Sequence, residues 1–276
     1  MIASGFLILV FAALIVQLVF QAFIRSGLKK IEIDSEAGED VIVPISVIIV
    51  ARNEESNLKN NLPTVLASDY TNFEVVLVDD HSSDRTKAVM DEFASADNRI
   101  KVIVNKSDVA GKKLALTAGI EAASNENLVF TDADCTVSKG WLAEFASAFA
   151  SGREFIIGHG AYERGSSLFS EFYAFEAHKS AMLYFASAAH SNPYMCVGRS
   201  MGYTKSVFEK SSGFKQHPYI QSGSDDLFLQ SAKSFAKIGL KPKAVSYSKS
   251  PSTIHRWMVQ RKRHLGAGKY YPFSAL

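Results

Sequence analysis

Phe73-Glu-Val-Val-Leu-Val78 is an apolar, largely β-branched run that leads directly into Asp79-Asp-His-Ser-Ser-Asp84. The same change, from apolar run to polar cluster, occurs twice more. Ile45-Ser-Val-Ile-Ile-Val50 ends on Ala51-Arg-Asn-Glu54, and Asn127-Leu-Val-Phe130 ends on Thr131-Asp-Ala-Asp134. Ile100-Lys-Val-Ile-Val104 adds a fourth apolar run. Between the runs, residues 54–67, 84–96 and 112–123 have helical spacing. Continuous apolar strands alternating with helices predict βαβ units around a buried, mostly parallel sheet, with right-handed crossovers. No Gly-x-Gly-x-x-Gly follows a strand and no Gly-x-x-x-x-Gly-Lys-Ser/Thr occurs. A dinucleotide fingerprint and a P-loop are therefore both unsupported.

Ligands of an open α/β sheet bind beyond the carboxyl ends of its strands. Here three strands deliver Asp or Glu to one such edge. Helix capping accounts for Ser83 or Asp84. It accounts poorly for Asp132 and Asp134, because a cap needs one carboxylate and two at i and i+2 repel unless a cation neutralises them. Asp132 and Asp134 are therefore candidate ligands of Mg2+ or Mn2+. These ions use one or two carboxylates and complete their shell with substrate phosphate oxygens and water.

The N-terminus reads differently. Ile2 to Ile24 is apolar apart from Ser4, Gln17 and Gln21, and no charge precedes Arg25. As a helix it would reach about 35 Å, enough to cross a bilayer with some tilt. A cleaved signal peptide would want a basic start and a shorter apolar core. Arg25, Lys29 and Lys30 follow at once, which predicts that the rest of the chain lies in the cytoplasm, on the inner face of the cell membrane. The expected organisation is a transmembrane anchor over 1–25, an acidic linker over 26–43, the α/β domain over 44–265 and a tail over 266–276. Across the 276 residues, 30 Lys+Arg against 28 Asp+Glu leave a formal charge of +2. That is too balanced for a nucleic-acid coat, and no nucleic-acid partner is expected. Cys135 and Cys196 cannot form a disulfide scaffold or a Cys-rich zinc module, and the seven histidines contain no His-x-x-x-His pair.

Several motifs in order are similar to those of glycosyltransferase family 2. They are Val47-Ile-Ile-Val-Ala-Arg-Asn-Glu54, Val76-Leu-Val-Asp-Asp-His-Ser-Ser-Asp84, Gly111-Lys-Lys-Leu-Ala-Leu116 and Phe130-Thr-Asp-Ala-Asp134. Gly198-Arg-Ser-Met-Gly-Tyr203 and Ser212-Gly-Phe214 follow. Ser224-Asp-Asp-Leu227 resembles the family's Glu-Asp motif with Asp225 in place of Glu, and Gln260-Arg-Lys-Arg-His264 resembles its Gln-x-x-Arg-Trp motif.

The resemblance implies a GT-A fold, a UDP- or GDP-sugar donor and inversion at the anomeric carbon. It places Asp79 and Asp80 at the base or ribose of the nucleotide, with Glu54 near the same pocket. Lys112 would sit near the diphosphate, and Asp132 and Asp134 would hold the metal on it. Asp226 would be the catalytic base with Asp225 close by, and Gln260 and Arg263 would close over the donor. His264 stands where the family carries Trp, so acceptor contact there differs; Trp257, one helical turn before Gln260, either supplies the missing ring or serves as an interface or core aromatic. The anchor suggests a membrane-bound acceptor, lipid or glycan. Relatives often carry further spanning helices after this region; with one span, single-sugar addition is expected rather than processive synthesis.

The residue types suit this chemistry without the family name. Charge grows on the departing phosphate, where a divalent ion and cations offset it. One carboxylate can deprotonate the acceptor hydroxyl. The alternative is a non-catalytic, nucleotide-binding scaffold at the membrane. Phe172 to His190 is expected as an amphipathic helix that covers the sheet or lies against the membrane.

Overall fold

The computed structural model describes residues 2–34, 42–165, 167–215, 223–251, 253–255, 257–259 and 262. One mixed sheet carries the α/β part. Its first four strands are β1 (Ile45–Ala51), β2 (Phe73–Asp79), β3 (Ile100–Val104) and β4 (Asn127–Asp132). They alternate with α2 (Glu55–Leu66), α3 (Thr86–Ala96) and α4 (Lys112–Ala122). All four strands run parallel, in the order β3-β2-β1-β4. The expected βαβ units are therefore present, with strand ends within two residues of the sequence reading.

The second half of the sheet has a different pattern. β5 (Cys135–Val137), β6 (Phe155–Tyr162), β7 (Met201–Thr204) and β8 (Ile238–Ser248) extend the order as β4-β7-β6-β8-β5. β7 runs antiparallel to both β4 and β6, so β6 points the same way as β4; β8 is parallel to β6, and β5 is antiparallel to β8. The helices here are α5 (Trp141–Ala150), α6 (Leu168–Ala189), α7 (Lys205–Lys210) and α8 (Asp226–Ala232).

Strand side chains alternate between faces, and both faces are dry. Ile45, Val47 and Ile49 join Val75 and Leu77 in a core under α2, α3 and α5. Ile48, Val76 and Val78 turn the other way, to a core that includes Phe130, Phe155 and Tyr203 with residues of α4, α6 and α8. Each fully buried Ile or Val contributes about 1.5–3 kcal/mol by leaving water. At Gly119 a Cβ would stand 2.8 Å from Ile48 Cγ2 and 2.9 Å from Val78 Cγ2. The missing side chain is what lets α4 lie this close to the sheet.

The N-terminal helix α1 (Ile2–Asp34) is longer than expected. It runs through the first part of the segment read as linker, so the basic residues Arg25, Lys29 and Lys30 lie on a continuous helix. Residues 5–22 are exposed, whereas Ile24, Gly27 and Ile31 are buried. Their spacing makes one stripe, and it packs against the end of α6. A Cβ on Gly27 would come within 2.7 Å of Ala186 Cα. The His190 ring stacks on Phe23 with centroids 4.6 Å apart.

Candidate functional site

The polar edge begins with sheet register. Ala51 pairs with Asp79, and Val50 with Asp132. Asp79 and Asp132 thus end strands on either side of β1, about 9–10 Å apart at the usual strand spacing.

Beyond β1 and β2 two loops lock together. Asn53 and His81 both have φ near +60°, a left-handed conformation that Asn and His tolerate better than most residues. Asn53 Oδ1 accepts from the Ser83 N–H at 2.8 Å, and the Asn53 N–H donates to Ser82 Oγ at 3.1 Å. The Glu54 N–H donates to Thr86 Oγ1 at 2.8 Å, and Thr86 donates to Asp84 Oδ1 through both its N–H and its hydroxyl. The N-cap of α3 is Arg85, which makes no capping bond; Asp84 does the capping work one residue earlier. The Thr86 bond holds the Asp84 carboxyl below the usual aspartate range.

Asp79 and Asp80 are both buried, but they differ. Asp80 Oδ1 accepts from Asn105 Nδ2 at 2.7 Å and from the Gly111 N–H at 3.1 Å. It ties the loops after β2 and β3 to the start of α4, so it is engaged by the protein itself. Asp79 Oδ1 is buried with no hydrogen-bond partner among the described residues. An orphaned buried acceptor is costly, and a ligand N–H or O–H would satisfy it.

The carboxylates gather around Lys112. Its Nζ lies 2.6 Å from Asp132 Oδ1. Burial pulls the Lys112 pKa down, but attraction to Asp132, Asp225 and Asp134 outweighs that and raises it. Glu54 moves up for the opposite reason: burial first, then repulsion from Asp134, Asp132 and Asp84, against a hydrogen bond from Asn57. Glu54 therefore senses the Asp-x-Asp pair directly.

Ligand atoms of Asp132, Asp134 and Cys135 all lie within 4.8 Å of one another. The two carboxylates suit a hard divalent ion. The Cys135 thiol does not: burial and the two aspartates push its pKa up, and its Sγ lies 3.4 Å from Asp134 Oδ1 as a donor. It is a buried thiol that its surroundings hold protonated.

Asp225 is the N-cap of α8. Its Oδ1 accepts from the Asp226 N–H at 2.9 Å and its Oδ2 from the Gly198 N–H at 3.1 Å. Asp226 Oδ1 accepts from the Cys196 N–H at 3.0 Å. The neighbours point different ways. The field of Asp225 reaches Lys112 and Lys113. That of Asp226 reaches Tyr194, whose phenol burial and Asp226 together push up to about 12. Arg199 completes this wall, its Nη2 donating to the Gly160 carbonyl at 2.9 Å and its guanidinium 5.2 Å from the Tyr162 ring centre.

Gln260, Arg263 and His264 lie outside the described residues. Trp257 is described: its ring stacks on Tyr173 at 6.0 Å and meets Phe172 edge-on at 6.4 Å. It packs, half-buried, against α6. Sequence reading missed Asn53, Asn105 and Arg199. Asn53 and Asn105 end strands, and that position was the signal that could have found them.

Comparison with known proteins gives the following. The model of "Glycosyl transferase family 2" matches residues 46–211. A GalNAc(5)-diNAcBac-PP-undecaprenol beta-1,3-glucosyltransferase of Campylobacter jejuni is 28% identical over 128 residues, which is 46% of this chain and 41% of that one. Thus the chain spans less than half of that curated relative. Among solved structures, a mannosyltransferase of Pyrobaculum calidifontis in complex with GDP-Man and Mn2+ superposes with a TM-score of 0.63 at 18% identity, covering 92% of this chain and 74% of that one. TarS of S. aureus in complex with UDP-GlcNAc gives a TM-score of 0.56 at 21% identity, covering 78% and 60%. At these identities the likeness establishes the GT-A fold.

Proposed function

From a chain that belongs to glycosyltransferase family 2, we propose a membrane-anchored, metal-dependent, inverting glycosyltransferase that moves a sugar from a UDP- or GDP-sugar to a lipid or glycan acceptor at the membrane. The observation that carries this reading is the cluster of Asp132, Asp134 and Lys112 at the carboxyl edge of β4, with Asp225 on the facing wall. Three acids and one cation close together suit a diphosphate brought in with a divalent ion.

In this reading the orphaned Asp79 Oδ1 accepts a hydrogen bond from the nucleotide. Asp80 keeps that pocket in shape through Asn105 and Gly111. Asp132 and Asp134 would hold Mg2+ or Mn2+, which when bound offsets charge on the leaving diphosphate. Lys112 adds a second positive charge beside it. Asp226, fixed by the Cys196 N–H, takes the proton of the acceptor hydroxyl, and Asp225 orients the turn and the lysines. Gln260 and Arg263 close over the donor.

Anchoring is supported by α1, whose stretch Gly5–Ile31 is long and apolar enough to cross a membrane. The basic residues after it favour a cytoplasmic catalytic domain at the inner membrane. A lipid-linked acceptor accords with the undecaprenol-linked glycan in the name of the Campylobacter relative.

The test is donor hydrolysis. Purified protein with Mn2+ slowly hydrolyses a UDP- or GDP-sugar, and Asp134→Ala abolishes it. If a nucleotide sugar raises the melting temperature with metal present but is never hydrolysed or transferred, the nucleotide-binding scaffold reading replaces this one; if no nucleotide sugar does either, both readings fail. A donor screen against membrane lipid extract, read by mass spectrometry, then identifies the product.

A further inference from the structure

A second site lies at the opposite edge of the sheet. A cavity of about 710 Å³ opens between the end of α1, the carboxyl ends of α5 and α6, the end of α8 and the start of β8. That volume is in the range of ligand pockets. Lys30, Arg153, Lys233 and Lys241 line it, and no acidic side chain does among the described residues.

Helix carboxyl ends favour cations, and that ordinary role covers part of the set. Lys241 Nζ lies 3.2 Å from Ser147 Oγ and 3.6 Å from Glu144. Arg153 Nη1 donates to the Ile238 carbonyl at 3.3 Å. Lys233 is itself the C-cap of α8, but neither it nor Lys30 meets a carboxylate among the described residues. Among the described residues Lys30 Nζ meets a ring nitrogen, His190 Nδ1, at 3.2 Å, and the Lys233 ammonium makes no ion pair. Four cations around one concave space, with Glu144 the one carboxylate beside them among the described residues, focus a positive field into it.

Its position says what would fill it. Lys30 follows Ile24, the last apolar residue of the N-terminal run, by six residues, about 9 Å along a helix. The headgroup layer on each side of a bilayer is about 5–8 Å deep. We propose that this cavity binds the phosphate headgroup of an anionic phospholipid of the leaflet from which α1 emerges, seating the domain against that surface. The proposal rests on α1 spanning the bilayer.

The test uses the full chain in detergent micelles doped equally with phosphatidylglycerol and phosphatidylcholine, with retained lipid counted by native mass spectrometry. Phosphatidylglycerol is expected to be kept about fivefold or more over phosphatidylcholine, the scale of one basic residue at an anionic surface. Lys233→Glu brings the ratio toward one, and the milder Lys233→Gln gives an intermediate value. Equal retention by the unsubstituted chain, or a preference unchanged in both variants, overturns the proposal. So does displacement of the lipid by millimolar inorganic phosphate, which would assign the cavity to a free anion. Extraction of membranes with alkaline carbonate reports separately on the anchor: release of the chain would sink the spanning reading whatever the lipid count.

Discussion

The two edges of this sheet carry opposite charge and relate differently to the N-terminal helix α1. At the carboxyl ends of β1, β2 and β4, Asp79, Asp132 and Asp134 stand with Glu54 and Asp84, and Lys112 is drawn in among them. At the amino ends of β6 and β8, Arg153, Lys233 and Lys241 meet Lys30 of α1. A net charge of +2 conceals this separation. The difference teaches how the two proposals divide the molecule: the acidic edge suits a cation brought in with a phosphate ligand, and the basic edge suits an anion alone. On those proposals, placing them at opposite ends would let the chain hold a surface without neutralising the carboxylates of the acidic edge.

The comparison breaks most visibly at Asp226. Asp226→Asn should lower transfer by about 10²–10⁴-fold while the donor dissociation constant stays within about twofold; loss of donor binding would move Asp226 from base to binding residue. Asp225→Asn separates the two neighbours, since it removes the charge that reaches Lys112 and should weaken donor binding as well as rate. In contrast, Lys233→Glu at the far edge should leave donor hydrolysis in detergent unchanged.

Lys112→Met sharpens the account of the acidic edge. Lys112 is the cation paired with Asp132, so its loss should tighten Mn2+ alone by severalfold and weaken nucleoside diphosphate binding by about tenfold, on the scale of one charge-assisted contact. Both affinities falling together would mean that Lys112 only shapes the loop.

The smallest effect concerns pH. The Glu54 carboxyl is raised in the folded chain by burial and by its acidic neighbours. The folded state therefore keeps that proton after the unfolded chain has lost it. Stability falls as pH rises from the ordinary glutamate range through the raised value. Without metal, Glu54→Gln should melt about a degree or two higher than the unsubstituted chain at neutral pH, with the gap closing below pH 4.5, the ordinary value. A gap that widened in acid would reverse the sign.

The parallel half of the sheet was legible because β1, β2, β3 and β4 are buried on both faces and read as apolar runs. The other half was not. β5 has three residues, β7 four, and β8 contains Gly239, Pro242 and two lysines, so period and composition both fail there. The length of α1 was missed because Ile31-Glu-Ile-Asp34 carries acids that suggest a linker, while packing of Gly27 and Ile31 on α6 sustains the helix. At the site, Asp132 and Asp134 were visible as a charge pair that capping could not explain. The inequality of Asp79 and Asp80 was not, since it depends on Asn105 and Gly111, which reach Asp80 only through the fold. The basic cavity was also invisible: its cations come from positions 30, 153, 233 and 241, and no local window contains them.

The most direct measurement of the central claim is calorimetric titration of UDP or GDP into the chain, with and without Mn2+. The account predicts that Mn2+ tightens binding at least about tenfold in the unsubstituted chain and less than about twofold in Asp134→Ala. Equal tightening in both, or binding indifferent to the ion, would contradict it.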